Sequence, residues 1–103
     1  MAMCIAGCST NDSYELVKLA EGGDAHSQYI LAGKLSEGDT IPHDLVESAE
    51  WYRKSAEQGY PPAQYNLGYI FLNGIGIDAD ENMAAAWYRK ASENGVSQAQ
   101  FNL

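Results

Sequence analysis

The sequence predicts an all-α protein, an α-solenoid of antiparallel helix pairs with a 36-residue repeat. Three observations predict it. The stretch Trp51-Tyr52-Arg53-Lys54-Ser55-Ala56-Glu57-Gln58-Gly59 returns 36 residues later as Trp87-Tyr88-Arg89-Lys90-Ala91-Ser92-Glu93-Asn94-Gly95. The same offset links Gln28, Gln64 and Gln100, then Tyr29, Tyr65 and Phe101, then Leu31, Leu67 and Leu103. No residue is inserted between the copies, which marks stacked units rather than one closed core.

Residues 1–12 read as an N-terminal tail and residues 13–22 as a leading helix, with Tyr14, Leu16, Val17, Leu19 and Ala20 mostly on one side. By register this helix is the degenerate second helix of a preceding unit, placed to cover the first repeat. The first repeat is 23–58, the second 59–94, and 95–103 begins a third. Gly23, Gly59 and Gly95 each follow a helical run, where glycine closes a helix in the left-handed conformation. Asp24 is a good N-cap for the helix that follows, Pro61-Pro62 suits a first helical turn, and Ser97 can cap the third. The first helix of each pair, helix A, is expected over Ala25–Glu37 and Pro62–Asn73. Ala25, Leu31 and Leu35 in one and Ala63, Leu67 and Phe71 in the other supply its apolar face. Ala32 and Gly68 are small where helix backbones must approach. Gly74-Ile75-Gly76-Ile77 makes a tight turn whose counterpart in the first repeat has Thr40 in place of the second glycine. Helix B begins near Asp44 and Asp80. Asp44 and Glu47 have capping-box spacing, and Asp78 with Glu81 is an alternative start in the second repeat. Ala49, Tyr52 and Ala56 match Ala85, Tyr88 and Ser92 along helix B, and Trp51 and Trp87 are expected to wedge between neighbouring helices.

The charge excludes whole classes of partner. Six basic residues face fourteen acidic ones, a net charge of −8. Nucleic acid is bound mainly through Lys and Arg, and anionic membrane surfaces attract the same residues. No run approaches the roughly 20 apolar residues of a transmembrane helix. Both cysteines, Cys4 and Cys8, lie in the tail. Ile5-Ala6-Gly7-Cys8 resembles the end of a bacterial lipoprotein signal, but the basic start and full apolar run of such a signal do not precede it. Two readings stay open: a lipidated Cys8 in the cell envelope or periplasm, or a cytoplasmic chain with two free thiols.

Residues that could carry chemistry do not assemble into a motif. His26 and His43 fall in different segments without the three or four spaced ligands of a zinc site. Asp78, Asp80 and Glu81 lack the spacing and central glycine of a calcium loop, and Gly74-Ile75-Gly76 lacks the strand and the Lys of a phosphate cradle. No serine sits in a nucleophile elbow, and Glu47 and Glu50 are solvated acids one turn apart. The reading is a non-enzyme with no catalytic, cofactor or metal residues.

Ala63-Gln64-Tyr65-Asn66-Leu67-Gly68, then Gly74-Ile75-Gly76, Asp80, and Ala85-Ala86-Trp87-Tyr88 through Gly95 together resemble the Sel-one-like repeat (SLR) family, a relative of the tetratricopeptide repeats. The likeness covers about residues 13–103, and the first repeat departs from it at Ala32, Thr40 and Ser55. It implies a right-handed superhelix of helix pairs, a scaffold for protein–protein interaction and a bacterial source. In such arrays the A helices line the concave surface. Positions there that the core leaves unclaimed are Gln28, Ile30, Gly33, Lys34 and Glu37, and Gln64, Asn66, Tyr69, Ile70 and Asn73. Gln28, Lys34, Gln64, Asn66, Tyr69 and Asn73 are the expected contacts to a protein or peptide partner, with Tyr69 and Asn73 foremost. The alternatives are self-association through the repeat ends, or an envelope protein that binds or acts on a cell-wall component.

Overall fold

Three aspartates and a proline pair set where the helices begin. The computed structural model describes residues 14–37 and 44–95 of the 103. Five helices follow one another there: α1 (14–21), α2 (Ala25–Glu37), α3 (Leu45–Glu57), α4 (Pro61–Asn73) and α5 (Glu81–Glu93). Asp24 Oδ2 accepts from the Ser27 backbone N–H at 2.9 Å and from its hydroxyl at 2.6 Å. Asp44 accepts from the Glu47 N–H at 3.0 Å, and Asp80 from the Met83 N–H at 3.1 Å. Each carboxylate thus satisfies a backbone donor that has no partner inside its helix. The alternative start at Asp78 is not used; Asp80 caps α5, as Asp44 caps α3 one repeat earlier. Helix α4 has no side-chain cap at Tyr60 and begins at Pro61, one residue before the expected start. Two prolines in its first turn remove two of the donors a cap would serve.

The chain zigzags: α2 packs on α3, α3 on α4, and α4 on α5. Gly59 turns the chain between repeats with φ 91°. Gly76 shows how tightly the units stack. Its φ is 78°, and a Cβ there would overlap the backbone carbonyl of Leu45, at the start of α3 in the preceding repeat. Thr40, its counterpart, lies outside the described residues, as do Cys4, Cys8, His43, Ser97 and the rest of 96–103.

Buried side chains form two clusters. Ala20, Leu31 and Leu35, with Leu16 and Val17 against them, seal α1 onto α2. The larger cluster runs from Ala32 through Ala49, Tyr52, Leu67 and Phe71 to Tyr88 and Ala91. Trp51 packs against both, the wedge that its size suggests. Gly68 is needed for close approach, since a Cβ would come within 3.0 Å of the Tyr88 ring. Tyr14 and Leu19 are exposed, contrary to the one-sided reading of α1. Leu19 falls in register with Ser55, which turns toward the A helix of its own repeat and donates to Ala25 O at 2.8 Å. Ala85 is exposed although its counterpart Ala49 is buried, because α4 covers Ala49.

Candidate interaction face

Helices α2 and α4 occur as the first of each pair and share one open face. Helix α4 carries no charged side chain. Three hollows lie along α2, α4 and α5. The first, about 410 Å³, is lined by Tyr29, Gly33, Lys34, Glu37, Tyr52 and Asn66. The second, about 200 Å³, is lined by Tyr52, Asn66, Tyr69 and Ile70, with Ser36 and Ile75 at its edge. The third, about 370 Å³, lies among Tyr65, Tyr69, Leu72, Ala85 and Tyr88. Tyr52 and Asn66 border the first two and Tyr69 the last two, so the hollows adjoin one another.

Tyr52 borders two of these hollows. Its ring is part of the core, while its hydroxyl lies 3.6 Å from where a Gly33 Cβ would stand. Burial raises the Tyr52 phenol above its ordinary pKa, the hydrogen bond with Asn66 opposes the rise, and Tyr29 and Glu37 add to it. Burial raises Tyr88 too, with Tyr65 and Tyr69 adding. Both phenols are therefore neutral around pH 7 and can donate as well as accept. Ring pairs recur with the repeat: Tyr29 meets Tyr52 at 5.8 Å and 65°, and Tyr65 meets Tyr88 at 5.4 Å and 54°. Among the described residues no three His, Cys, Asp or Glu side chains converge on a metal position.

The expected contact residues divide. Lys34 and Asn66 line one hollow together, and Asn66 and Tyr69 the next. Tyr69 is 50% exposed. Asn73 is exposed too, but its amide donates to Tyr69 O in its own helix at 3.0 Å, and it lines none of the three hollows. Gln28 and Gln64 are not unclaimed: each is 4% exposed. Gln28 Nε2 donates to Ala20 O at 3.0 Å and Gln64 Nε2 to Ala56 O at 3.2 Å. Their carbonyl oxygens accept from Gln58 and Asn94 respectively, both at 2.9 Å. Each glutamine thereby ties its own helix to the end of the helix before it and to the residue after the helix that follows. Ile70, at 6% exposure, also belongs to the core. Tyr52 and Tyr29 were not among the expected contacts. The signal for them was the return of tyrosine at Tyr65 and Tyr88.

The Sel1 repeat profile matches residues 25–60 and 61–96. The chain belongs to the Sel1 repeat family. The matched Sel1 units have the length of the repeat seen in the sequence and begin two residues later. Among solved structures, the chain is similar to a protective antigen of uropathogenic Escherichia coli strains that displays an SLR fold. That pair has 41% identity and a TM-score of 0.84, over 88% of this chain and 20% of that one. It is also similar to a Sel1 repeat protein from Oxalobacter formigenes, at 36% identity and TM-score 0.84 over 85% of this chain and 66% of the other. Cysteine rich protein B of Helicobacter pylori shares the fold, with 24% identity and a TM-score of 0.85 over 88% of this chain and 68% of that one. This chain therefore spans a fifth of the first and about two thirds of the other two. No curated protein sequence matches it. The right-handed α-solenoid of antiparallel helix pairs expected above is the fold observed.

Proposed function

We infer that this Sel1 chain is a non-catalytic interaction module that holds a stretch of partner polypeptide along the α2–α4 face. Sel1 repeat proteins are commonly protein–protein interaction scaffolds and generally non-catalytic. The observation that carries the reading is the row of adjoining hollows bordered by Tyr52, Asn66 and Tyr69. An extended chain needs a track, backbone-bonding amides and rigid aromatic anchors; Asn66 supplies an amide, and Tyr69 an exposed ring of the type enriched at binding hot spots. Lys34 marks one end. The test is capture of proteins from cell extract by the intact chain and by a double variant, Lys34→Ala with Tyr69→Ala. Partners held by the first are expected to be lost by the second at unchanged melting temperature. Partners retained by the double variant place binding elsewhere.

A second reading has its own observation. Tyr14 and Leu19 are exposed on α1, Leu72 on α4 and Met83 on α5. Copies that stack through these faces would bury them. A sedimentation mass that rises with concentration supports stacking, and a constant monomer mass removes it.

A further inference from the structure

Repeat 2 carries an aromatic side chain at a position where repeat 1 carries none. Positions 33 and 69 correspond in the 36-residue register, and so do the ring pairs Tyr29–Tyr52 and Tyr65–Tyr88. In repeat 2, Tyr69 stands beside its pair, so three phenols line one hollow. In repeat 1 the pair is present but Gly33 adds no side chain beside it, and a hollow of about 410 Å³ opens there. The fold does not account for that glycine. Its φ is not positive, and a Cβ would meet nothing nearer than the Tyr52 hydroxyl at 3.6 Å, an ordinary contact. Glycine within a helix weakens the helix.

The chemistry of the hollow selects its occupant. Lys34 and Glu37 bring one charge of each sign to its rim, so it favours no net charge. The Tyr29 ring and Ile30 offer apolar surface, and the Tyr52 hydroxyl and Asn66 offer hydrogen bonds. Aromatic rings pair well at the spacing and tilt already seen between Tyr29 and Tyr52. We propose that the hollow over Gly33 is a subsite for an aromatic side chain, tyrosine or phenylalanine, of an extended partner peptide. That ring stands in for the one that Tyr69 supplies at the corresponding position of repeat 2. The subsite rests on the reading of the α2–α4 face as peptide-binding.

The test uses random dodecapeptides displayed on phage, selected on the intact chain and then measured as labelled synthetic peptides by fluorescence polarisation. The decisive variant, Gly33→Tyr, copies repeat 2 into repeat 1. Gly33→Leu fills the same space with a strong helix former, in case the tyrosine variant does not fold. Selected peptides are expected to carry Tyr or Phe at one fixed position. Their affinity should fall at least tenfold when that residue becomes Ala, and at least tenfold when Gly33 is replaced. Peptides that keep their affinity for the Gly33 variants but lose it for the Lys34→Ala, Tyr69→Ala double variant overturn the aromatic subsite and leave the peptide-binding face standing. A selection whose peptides are indifferent to all of these substitutions overturns both.

Discussion

Trp51 and Trp87 stand in register and differ in one hydrogen bond. Trp51 Nε1 donates to Glu47 Oε2 at 3.2 Å. One repeat later the residue in the place of Glu47 is Met83, and Trp87 Nε1 is buried with no hydrogen-bond partner among the described residues. A buried donor left unpaired costs free energy that a single acceptor recovers. Met83→Glu should therefore stabilise the protein by about 1 kcal/mol, read as a higher urea midpoint at unchanged slope. Glu47→Met should lower the midpoint by a similar amount. Lys54 lies 4.9 Å above the Trp51 ring and Lys90 5.8 Å from that of Trp87, so these lysines cover the indoles rather than forming a basic patch. Asp24 gives a prediction in pH. The Ser27 hydroxyl first, and the Ser27 backbone N–H second, hold its carboxyl below the ordinary 3.8. A group with a depressed folded pKa contributes stability above its unfolded pKa and loses it as pH falls through the folded one. Thermal melts of Asp24→Asn should thus lie below those of the parent at pH 6 and converge with them as pH drops beneath about 4. Curves that stay parallel to pH 2 would show that the cap does not act through its charge.

At the scale of elements, two glycines separate what the fold requires from what it tolerates. Gly76 has positive φ and no room for a Cβ beside the Leu45 carbonyl. Gly76→Ala should cost about 2–3 kcal/mol, because backbone strain and displacement of α3 act together. Gly33 lies inside α2 with space for a methyl group. Gly33→Ala should stabilise by about 0.5–1 kcal/mol. Differential melts of the two variants against the parent check both signs, since 1 kcal/mol moves the midpoint of a domain this size by about 4–8 °C. The same contrast explains what could be read from the sequence. Helix starts at Asp44 and Asp80, the turn at Gly59 and the need for a small residue at Gly68 follow from local rules or from register. The hollow over Gly33 does not. It depends on where the Tyr52 hydroxyl of α3 arrives beneath α2, and no local pattern encodes that meeting. Gln28 and Gln64 were legible but misread. Polar residues at helical spacing look like surface, whereas an amide that returns every 36 residues is what a repeated buried bond requires.

For the molecule as a whole, the question is what couples one repeat to the next. In a solenoid each unit touches only its neighbours, so stability is a sum of unit terms and interface terms. The α3–α4 interface joins the two repeats; the Tyr52–Asn66 bond crosses it, and so does a bond from Gln64 with little tolerance for loss. Gln64 Nε2 reaches Ala56 O on α3 while Gln64 Oε1 holds Asn94 beyond α5. Its counterpart Gln28 does the same between α1 and the residue after α3. Gln64→Ala leaves the amide of Asn94 with one fewer partner and removes the tie between repeats, at a cost of about 1–3 kcal/mol. The location of the loss matters more than its size. Because the bond spans the interface, the substitution should uncouple α4 and α5 from α2 and α3 rather than weaken all four alike. Hydrogen exchange followed by mass spectrometry reads this directly. Peptides from 61–93 should exchange faster than in the parent, while peptides from 25–57 keep more of their protection. Gln28→Ala should instead release α1 and leave the 61–93 region nearly unchanged. Equal loss of protection along the whole chain in both variants would mean that the two repeats fold as a single cooperative unit, with the glutamines contributing to one global stability and not to the joints between units.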